Sequence, residues 1–283
     1  MHYRKLGRSD MSVPAVSFGA WAIGGWMWGG SDDGDAVRAL QAAFDAGVTC
    51  VDTAPVYGMG HSERVVAEAM RGRRDDILVA TKCGLRWDRE EGELHFETTL
   101  PDGRRAPIYK NLRPASIRWE CEQSLQRLGV ERIDLYQCHW PDSTTPIADT
   151  MGELVKLQEE GKVRAIGMSN FTVPMLEACQ RHGTVASDQP KYNALEREIE
   201  AELLPWCEAN DVAVLAWSPI AQGLLTGKVT PDREFPEGDV RRGKPLFSRE
   251  NRIRVAEMLA AVQPIADGHG LTLGQLFIAW TVA

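Results

Sequence analysis

Four polar side chains stand where the sequence passes from a buried apolar run into a turn. Asp52 and Tyr57 lie in the stretch CVDTAPVYGMGHSE, Lys82 ends the run DILVATK, and His139 lies near the end of IDLYQCHW. An ionised carboxylate at the mouth of a buried segment is costly unless a cation accompanies it. The sequence therefore predicts that Asp52 and Lys82 form a pair.

A lysine held beside a tyrosine can support proton transfer. Tyrosine ordinarily titrates near ~10, and we expect the Lys82 ammonium, tethered by Asp52, to lower the pKa of Tyr57 to about 7–8. That change requires roughly 3–4 kcal/mol of preferential stabilisation of the phenolate, which one close ammonium in a partly dry cleft can supply. His139 adds a second hydrogen bond to the oxygen that Tyr57 protonates. The predicted chemistry is general acid catalysis at a substrate oxygen.

Each of these residues has a structural alternative when it is considered alone. An aspartate after a strand is often a turn or cap residue, and a tyrosine often packs with a wet hydroxyl. A lysine at a strand end is usually solvated, and a lone histidine is usually a hydrogen-bonded structural residue. The catalytic interpretation depends on all four occurring together at strand ends.

The elements that must position these residues alternate along the chain. Short apolar runs are followed by amphipathic helical runs, and turn residues separate them. The seven predicted strands lie at 15–21, 48–54, 76–82, 133–140, 163–170, 185–193 and 212–219. Their apolar residues do not alternate with polar ones, which indicates a parallel sheet buried on both faces. This succession predicts an α/β fold of the (β/α)8 TIM-barrel type, in which the strand ends meet at one rim.

Three segments depart from this repeat. The leading YRKLGRSDMSVPAV predicts an N-terminal β-hairpin that turns at 7–10 and covers the barrel floor. Residues 83–111 are expected to form an irregular insert, and 220–248 form a long segment rich in Gly, Pro and charge. No eighth strand follows, so we expect a single barrel domain over 1–283, with the eighth strand and the C-terminal segment missing from this chain.

Further polar residues at the remaining strand ends suit a flat, amide-bearing ligand. Ser169, Asn170 and Gln189 offer donors and acceptors, and Trp217 offers a face for stacking. The segment SPIAQGLLTGK that follows supplies glycines for close backbone approach and a lysine for a phosphate charge. The structural alternative for this segment is a mobile surface loop.

Composition excludes several classes of function. The chain has 283 residues, 43% of them hydrophobic, and a net charge of −8, which argues against nucleic acid or an anionic membrane as the main partner. The sequence contains no G-x-G-x-x-G phosphate loop and no nucleophile elbow. It also lacks the zinc-binding motif H-E-x-x-H, and no metal is expected. The six cysteines form no C-x-x-C pair and the N-terminus has no apolar signal core, which together indicate the cytoplasm. The oligomeric state stays open, and a monomer is compatible with the sequence.

Six motifs together resemble the aldo-keto reductases. They are DTAPVYGMGHSE, ATKCG, IDLYQCHWPD, IGMSNF, DQPKYN and WSPIAQGLLTGK, in the family's order, and the resemblance covers residues 3–282. WAIGGWMWGG and IDLYQCHWPD are most similar to the bacterial general-stress and inositol-operon branch. The resemblance implies an NAD(P)H-dependent enzyme that reduces aldehydes and ketones to alcohols.

By that resemblance Asp52, Tyr57, Lys82 and His139 are the family's catalytic tetrad, with Tyr57 as the general acid. The expected cofactor is NADPH, with NADH left open, bound across the rim with its pyrophosphate under 218–228. The residues expected to contact it are Ala20, Trp21, Asp52, Ser169, Asn170, Gln189, Trp217, Ser218, Pro219, Ile220, Gln222, Gly223, Leu224, Gly227 and Lys228. The tryptophan at 217 departs from the tyrosine that the family commonly has there. The family's segment for the adenosine 2′-phosphate has no counterpart here.

Two other functions are compatible with these residues. A cofactor-sensing regulatory barrel, like the potassium-channel β subunits that share this fold, would bind nucleotide without turnover. In a barrel lyase, Lys82 would form a Schiff base with the substrate. The neighbouring Asp52 disfavours the lyase, because it keeps the lysine charged and poorly nucleophilic.

Substrate choice depends on segments next to the rim. Five tryptophans either line an aromatic substrate mouth or pack loops onto the rim, and the sequence supports both equally: Trp21, Trp26, Trp28, Trp87 and Trp140. The insert 83–111 and the segment 220–248 are expected to decide which carbonyl compound is accepted.

Overall fold

The computed structural model describes residues 1–283, in which strands and helices alternate along the chain. The strands are β1 (Tyr3–Lys5), β2 (Ser12–Pro14), β3 (Phe18–Gly19), β4 (Cys50–Asp52), β5 (Leu78–Cys83), β6 (Leu85–Arg86), β7 (Glu93–Thr99), β8 (Arg105–Lys110), β9 (Ile133–Cys138), β10 (Val163–Ser169), β11 (Ser187–Gln189) and β12 (Ala213–Val214). The α-helices are α1 (Asp33–Asp45), α2 (His61–Ala69), α3 (Pro114–Leu128), α4 (Ile147–Glu159), α5 (Val173–Gln180), α6 (Leu203–Ala209), α7 (Arg249–Gly268) and α8 (Leu273–Val282).

The main sheet contains seven strands in the order β3-β4-β5-β9-β10-β11-β12, which is also their order along the chain. Every neighbouring pair in it is parallel. The seven predicted parallel strands are therefore confirmed, and β3 and β12 are the edges of the sheet. Because parallel neighbours are in register, their C-terminal ends lie at one rim.

The sheet curls around the N-terminal hairpin. Strands β1 and β2 pair antiparallel, as predicted, and Leu6, Met11 and Val13 of the hairpin form one buried cluster with residues of β5, β9 and β10 and with Ala186. Gly7 sits at the turn with φ of 50°, and a Cβ there would lie 2.1 Å from the Ala186 carbonyl oxygen, so only glycine permits this close approach. The hairpin thus covers the floor of the barrel and leaves the opposite rim open.

Helices cover the outer face of the curled sheet. A cluster of 34 buried apolar residues lies between strands and helices, and it includes Leu40 and Phe44 of α1 and Ile117 and Leu128 of α3. A second cluster joins α7 and α8 to the segment after β12 through residues such as Leu225. No helix in the chain combines the length and the apolar composition that crossing a membrane requires.

The prediction of an irregular insert at 83–111 is wrong. This segment forms a three-stranded antiparallel sheet in the order β6-β8-β7. A register shift between Leu94 and Phe96 interrupts the alternation of side chains in β7, which hides the strand pattern in the sequence. The turn residues Pro101, Asp102 and Gly103 between β7 and β8 are the sequence signal that could have revealed the hairpin.

The small sheet lies beside the loop that follows β4. Trp26 donates a hydrogen bond from Nε1 to the Thr99 carbonyl oxygen at 3.1 Å and stacks on Phe96 with ring centroids 6.3 Å apart. Trp26 is buried in a cluster with Ala54 and Val56 of that loop. The insert therefore covers one side of the rim.

A buried ion pair joins α2 to α3 behind the sheet. Glu63 is fully buried, and its carboxylate accepts hydrogen bonds from Arg127 Nε at 2.5 Å and from Thr81 Oγ1 at 2.7 Å. Removing one partner of a buried pair leaves an uncompensated charge, which typically costs about 3–5 kcal/mol. This pair is therefore a sensitive point of the fold.

We expect Arg127→Leu to lower the free energy of unfolding by about 3 kcal/mol, because the Glu63 carboxylate then stays buried with one neutral donor. Urea unfolding followed by far-UV circular dichroism measures the change. The double variant Glu63→Gln/Arg127→Leu should recover part of the loss. Arg38→Leu, which breaks the exposed pair with Asp35, is the matched control and should change stability by less than about 1 kcal/mol. Equal losses for both arginine variants would contradict the interpretation.

Candidate active site

Three neighbouring strands and one loop bring the four predicted catalytic residues to the open rim. Asp52 is the last residue of β4, Lys82 lies in β5, and His139 directly follows β9. These strands are adjacent in the sheet. Tyr57 lies in the loop between β4 and α2, and the structure places it next to the other three.

Lys82 is the centre of this group. Its Nζ donates to Asp52 Oδ1 at 2.6 Å, to the Thr53 carbonyl oxygen at 2.9 Å and to the Tyr57 hydroxyl at 3.2 Å. Three acceptors thus engage the three protons of a fully buried ammonium. Burial is the largest single influence and lowers the pKa of Lys82, but the Asp52 carboxylate and the Tyr57 hydroxyl together outweigh it and leave the pKa above its ordinary value. A lysine held charged in this way is a poor Schiff-base nucleophile, which disfavours the lyase alternative.

Two amides hold the second oxygen of the Asp52 carboxylate. Oδ2 accepts from Gln189 Nε2 at 2.9 Å and from Gln137 Nε2 at 3.2 Å. Gln137 is not among the site residues predicted from the sequence. Its signal was present, because side chains two apart on a strand share a face and Gln137 lies two residues before His139.

Tyr57 is packed between two aromatic rings. Its ring lies edge-on to His139 with centroids 5.7 Å apart, and it stacks with Trp21 at 6.1 Å. Burial raises the pKa of Tyr57 above its ordinary value, and the Lys82 ammonium only partly opposes that shift. The expected lowering to about 7–8 is therefore wrong in sign for the free protein, because desolvation of the phenolate exceeds its attraction to the ammonium. Tyr57 is consequently a phenol at neutral pH and can act as a proton donor.

His139 is an uncharged imidazole. Burial lowers its pKa well below the ordinary value, and the nearby Lys82 ammonium and His95 lower it further. A neutral imidazole has one ring N–H that donates and one ring nitrogen that accepts. His139 can therefore give a hydrogen bond to an oxygen without carrying a second positive charge beside the lysine.

The four residues predicted to suit a flat, amide-bearing ligand form one hydrogen-bonded chain beside the tetrad. Trp217 Nε1 donates to Asn170 Oδ1 at 3.1 Å. Asn170 Nδ2 donates to Ser169 Oγ at 3.0 Å and to the His139 carbonyl oxygen at 3.1 Å, and Ser169 Oγ donates to the Gln189 carbonyl oxygen at 2.7 Å. The structure therefore brings all four together on the rim.

The other predicted contact residues at the start of the chain also lie at this rim. Ala20 follows β3, is fully buried, and donates from its backbone to the Asp52 carbonyl oxygen at 2.8 Å. Ser62 Oγ donates to the Ala20 carbonyl oxygen at 2.9 Å. Ala20 therefore has neither an exposed side chain nor a free backbone group for a ligand. Trp21, which is half-buried and stacks with Tyr57, does present its side chain there.

The segment after Trp217 has an unusual backbone. Its residues in the left-handed region are Ser218, Ala221, Gln222, Gly223 and Gly227, with φ of 58°, 48°, 54°, 94° and 74°. Each non-glycine residue in that region costs on the order of 1 kcal/mol or more, and such strain concentrates at ligand sites. The backbone N–H groups of Ala221 and Gly223 donate to carbonyl oxygens within the segment, and such irregular turns can form concavities that suit an anionic group.

The side chains of this segment divide into two sets. Leu224 is buried in the second apolar cluster, so only its backbone is available to a ligand. Pro219 and Ile220 are half-buried, and Lys228 is exposed. No ion pair in the chain includes Lys228, so its charge is available to a phosphate.

These residues fit a nicotinamide dinucleotide. Trp217 is half-buried and offers an indole face, with Lys191 Nζ 5.5 Å from the ring centroid. The amides of Asn170 and Gln189 lie beside it, and the strained backbone and Lys228 follow directly in the chain. No group of three or more His, Cys, Asp or Glu side chains is arranged to hold a metal ion.

The tryptophans divide between packing and lining the rim. Trp26 is buried in the cluster that it forms with Ala54, Val56 and two residues of the insert, and Trp87 packs against the same cluster. Trp28 meets Trp21 edge-to-face with centroids 5.2 Å apart, and Trp140 lies 5.1 Å from His95. Trp21 is therefore the tryptophan that contacts Tyr57, Trp28 contacts Trp21, and Trp140 packs against the same cluster as Trp87.

Comparison with known proteins agrees with this site. The sequence model described as the Aldo/keto reductase family matches residues 15–283. The NADH-specific methylglyoxal reductase of Escherichia coli K12 is 40% identical over 281 residues, which cover 97% of this chain and 84% of that protein. Among solved structures, a glycerol dehydrogenase from Gluconobacter oxydans has a TM-score of 0.87 at 40% identity, covering 99% of this chain and 82% of that one. An aldo-keto reductase from Klebsiella pneumoniae in complex with NADPH has a TM-score of 0.70 at 27% identity, covering all of this chain and 82% of that one.

The family match extends over nearly the whole chain, and the methylglyoxal reductase and the glycerol dehydrogenase are each covered over more than four-fifths of their length. The curled parallel sheet is that of the family's β/α barrel. This chain therefore belongs to the aldo/keto reductase family and is a nicotinamide-dependent carbonyl reductase.

Proposed function

We propose that this protein reduces small aldehydes and ketones to alcohols with Tyr57 as the general acid. One observation carries the assignment: Lys82 Nζ lies 2.6 Å from Asp52 Oδ1 and 3.2 Å from the Tyr57 hydroxyl. An ammonium placed in this way stabilises the charge that develops on the phenol oxygen as its proton leaves. The arrangement therefore favours transfer of a proton from the Tyr57 hydroxyl to a substrate.

The proposed reaction adds a hydride to carbon and a proton to oxygen. The nicotinamide cofactor, when bound, supplies the hydride. Tyr57 donates its proton to the carbonyl oxygen, and the neutral His139 donates a hydrogen bond to the same oxygen. Lys82 stabilises the resulting phenolate, and Asp52 keeps Lys82 charged and in place. Uptake of one proton from solvent returns Tyr57 to the phenol.

We propose NADPH as the cofactor, with NADH as the alternative. The resemblance to the family supports NADPH, and a relative is named as NADH-specific. The supporting contacts for either cofactor are Trp217 for the ring, Asn170 and Gln189 for the carboxamide, and Lys228 for a phosphate. The ratio of kcat/KM with the two cofactors decides between them.

We propose that residues 1–283 form a single barrel domain and that the protein belongs to the bacterial general-stress and inositol-operon branch, on the basis of WAIGGWMWGG and IDLYQCHWPD. It acts as a cytoplasmic enzyme on a small carbonyl compound. The three-stranded insert and the residues after β12 border the rim and select that compound.

We expect Tyr57→Phe to lower kcat/KM for aldehydes by about 100-fold or more, which corresponds to roughly 3 kcal/mol of lost transition-state stabilisation. The affinity for cofactor should survive, because the ring and its packing remain. Oxidation of NADPH or NADH with methylglyoxal measures the rate, and quenching of tryptophan fluorescence measures binding. Tyr3→Phe, at an exposed site in the floor hairpin, is the matched control. Unchanged reduction by Tyr57→Phe would show that the acid has been assigned wrongly.

The pH dependence tests the raised pKa of Tyr57. Burial raises this pKa above its ordinary value of ~10, so Tyr57 stays a protonated phenol at pH values below ~10. We therefore expect kcat/KM for reduction to stay level between about pH 6 and 9. Alcohol oxidation requires the phenolate and should become faster across the same interval. An alkaline loss of reduction centred near pH 7–8 would contradict this expectation.

The proposed stacking of Trp217 on the cofactor can be tested by replacing the indole with a smaller side chain. We expect Trp217→Ala to raise the Kd for cofactor about tenfold, because the indole face contributes contact area and stacking energy. Trp217→Tyr should lie close to wild type, since a phenol ring preserves a flat surface. Both variants are measured with NADPH and with NADH. A Kd for Trp217→Ala within a factor of two of wild type would exclude stacking at this residue.

A further inference from the structure

Two glutamine amides converge on one oxygen of Asp52, although only one of them can reach a ligand. Gln189 lies at the rim, whereas Gln137 lies within the barrel wall. We propose that Gln137 is a positioning residue, which fixes the Asp52 carboxylate so that Lys82 stays directed at Tyr57. The inference rests on the proposed function, and it assigns the two amides different tasks.

The position of Gln137 follows from the register of three strands. On β9 it pairs with Lys82 of β5 and with Gly167 of β10. A Cβ at Gly167 would lie 2.9 Å from Gln137 Cγ, tighter than packed atoms tolerate, so the glycine makes room for the side chain. Gln137 is fully buried. Its amide therefore cannot turn to a ligand at the rim, and Asp52 is the partner it donates to.

Gln189 occupies a different environment. It is the last residue of β11, retains 7% exposure, and donates to Asp52 Oδ2 at 2.9 Å. Its backbone carbonyl accepts from Ser169 Oγ, so it belongs to the hydrogen-bonded chain that ends at Trp217. Gln189 thus connects Asp52 to the proposed carboxamide site, whereas Gln137 connects Asp52 only to the protein.

Fixing the carboxylate matters because its two oxygens have different tasks. Oδ1 holds the Lys82 ammonium, and Oδ2 has no cation. Two donors on Oδ2 resist rotation of the carboxylate, and rotation would carry Oδ1 away from Nζ. Hydrogen bonds to a charged group inside a protein are among the stronger ones. Loss of the Gln137 donor should therefore reach Tyr57 through Asp52 and Lys82, and should lower the rate of proton transfer.

The first experiment compares three leucine variants of the full chain. We expect Gln137→Leu to lower kcat about 10-fold or more, with the Kd for cofactor within a factor of two of wild type. Gln189→Leu should raise the Kd for cofactor as well. Gln158→Leu removes a side-chain amide from α4, on the outside of the barrel, and should preserve both values. An unchanged kcat for Gln137→Leu would overturn the inference.

The second variant separates positioning from packing. Gln137→Glu keeps the shape of the side chain, and its neutral carboxyl can still donate to Asp52. Its ionised form faces the Asp52 carboxylate, with Lys82 on β5, Tyr57 on the loop and the uncharged Gln189 on β11 as the other groups around Asp52. We expect kcat near wild type at low pH and a progressive loss as pH rises, which the wild type does not show. A pH profile parallel to that of wild type would overturn the inference.

These outcomes are distinguishable from failure of the proposed function. A wild-type protein that binds cofactor but reduces no carbonyl compound would overturn both. An active wild type whose Gln137 variants behave like the Gln158 control would overturn the positioning role alone.

Discussion

A lysine charge held away from water is the feature on which the site depends. Lys82 is fully buried, and its pKa nevertheless lies above the ordinary value because the Asp52 carboxylate, 2.6 Å away, and the Tyr57 hydroxyl together outweigh the effect of burial. Burial without these partners would lower the pKa of the ammonium. The Thr53 carbonyl oxygen and the Tyr57 hydroxyl oxygen accept hydrogen bonds from the other two N–H groups of the ammonium. The same three acceptors keep Lys82 protonated and hold its ammonium beside the Tyr57 hydroxyl. The contacts that stabilise the charge are therefore also the contacts that place it for proton transfer.

The contacts of Lys82 depend on the register of the parallel strands. Asp52, Lys82 and Gln137 come from β4, β5 and β9, which must align within one residue for the pair and its supporting amide to meet. The hairpin covers the floor and contributes apolar contacts there, whereas the polar network lies at the other end of the strands. The floor can therefore stabilise the curl of the sheet without competing with the rim for space or charge.

Burial has opposite consequences for the groups around Lys82. It raises the pKa of the Tyr57 phenol and lowers that of the His139 imidazole, so both are neutral near pH 7. A neutral phenol is a proton donor, and a neutral imidazole donates one hydrogen bond without adding charge. One cation, one anion and two neutral donors thus occupy the site. This distribution suits a reaction in which negative charge appears on a substrate oxygen and is quenched by a proton.

The sequence by itself determined the strand order, the hairpin and the position of Asp52, Tyr57, Lys82 and His139 at one rim, because apolar runs and turn residues are local signals and parallel strands share an end. It did not reveal the antiparallel insert, since a bulge in β7 breaks the alternation that marks a strand. Only the tertiary structure decided the contact between Gln137 and Asp52 and the sign of the Tyr57 pKa shift. The first depends on register across three strands, and the second depends on a balance between desolvation and one ammonium, and neither quantity exists until the chain has folded.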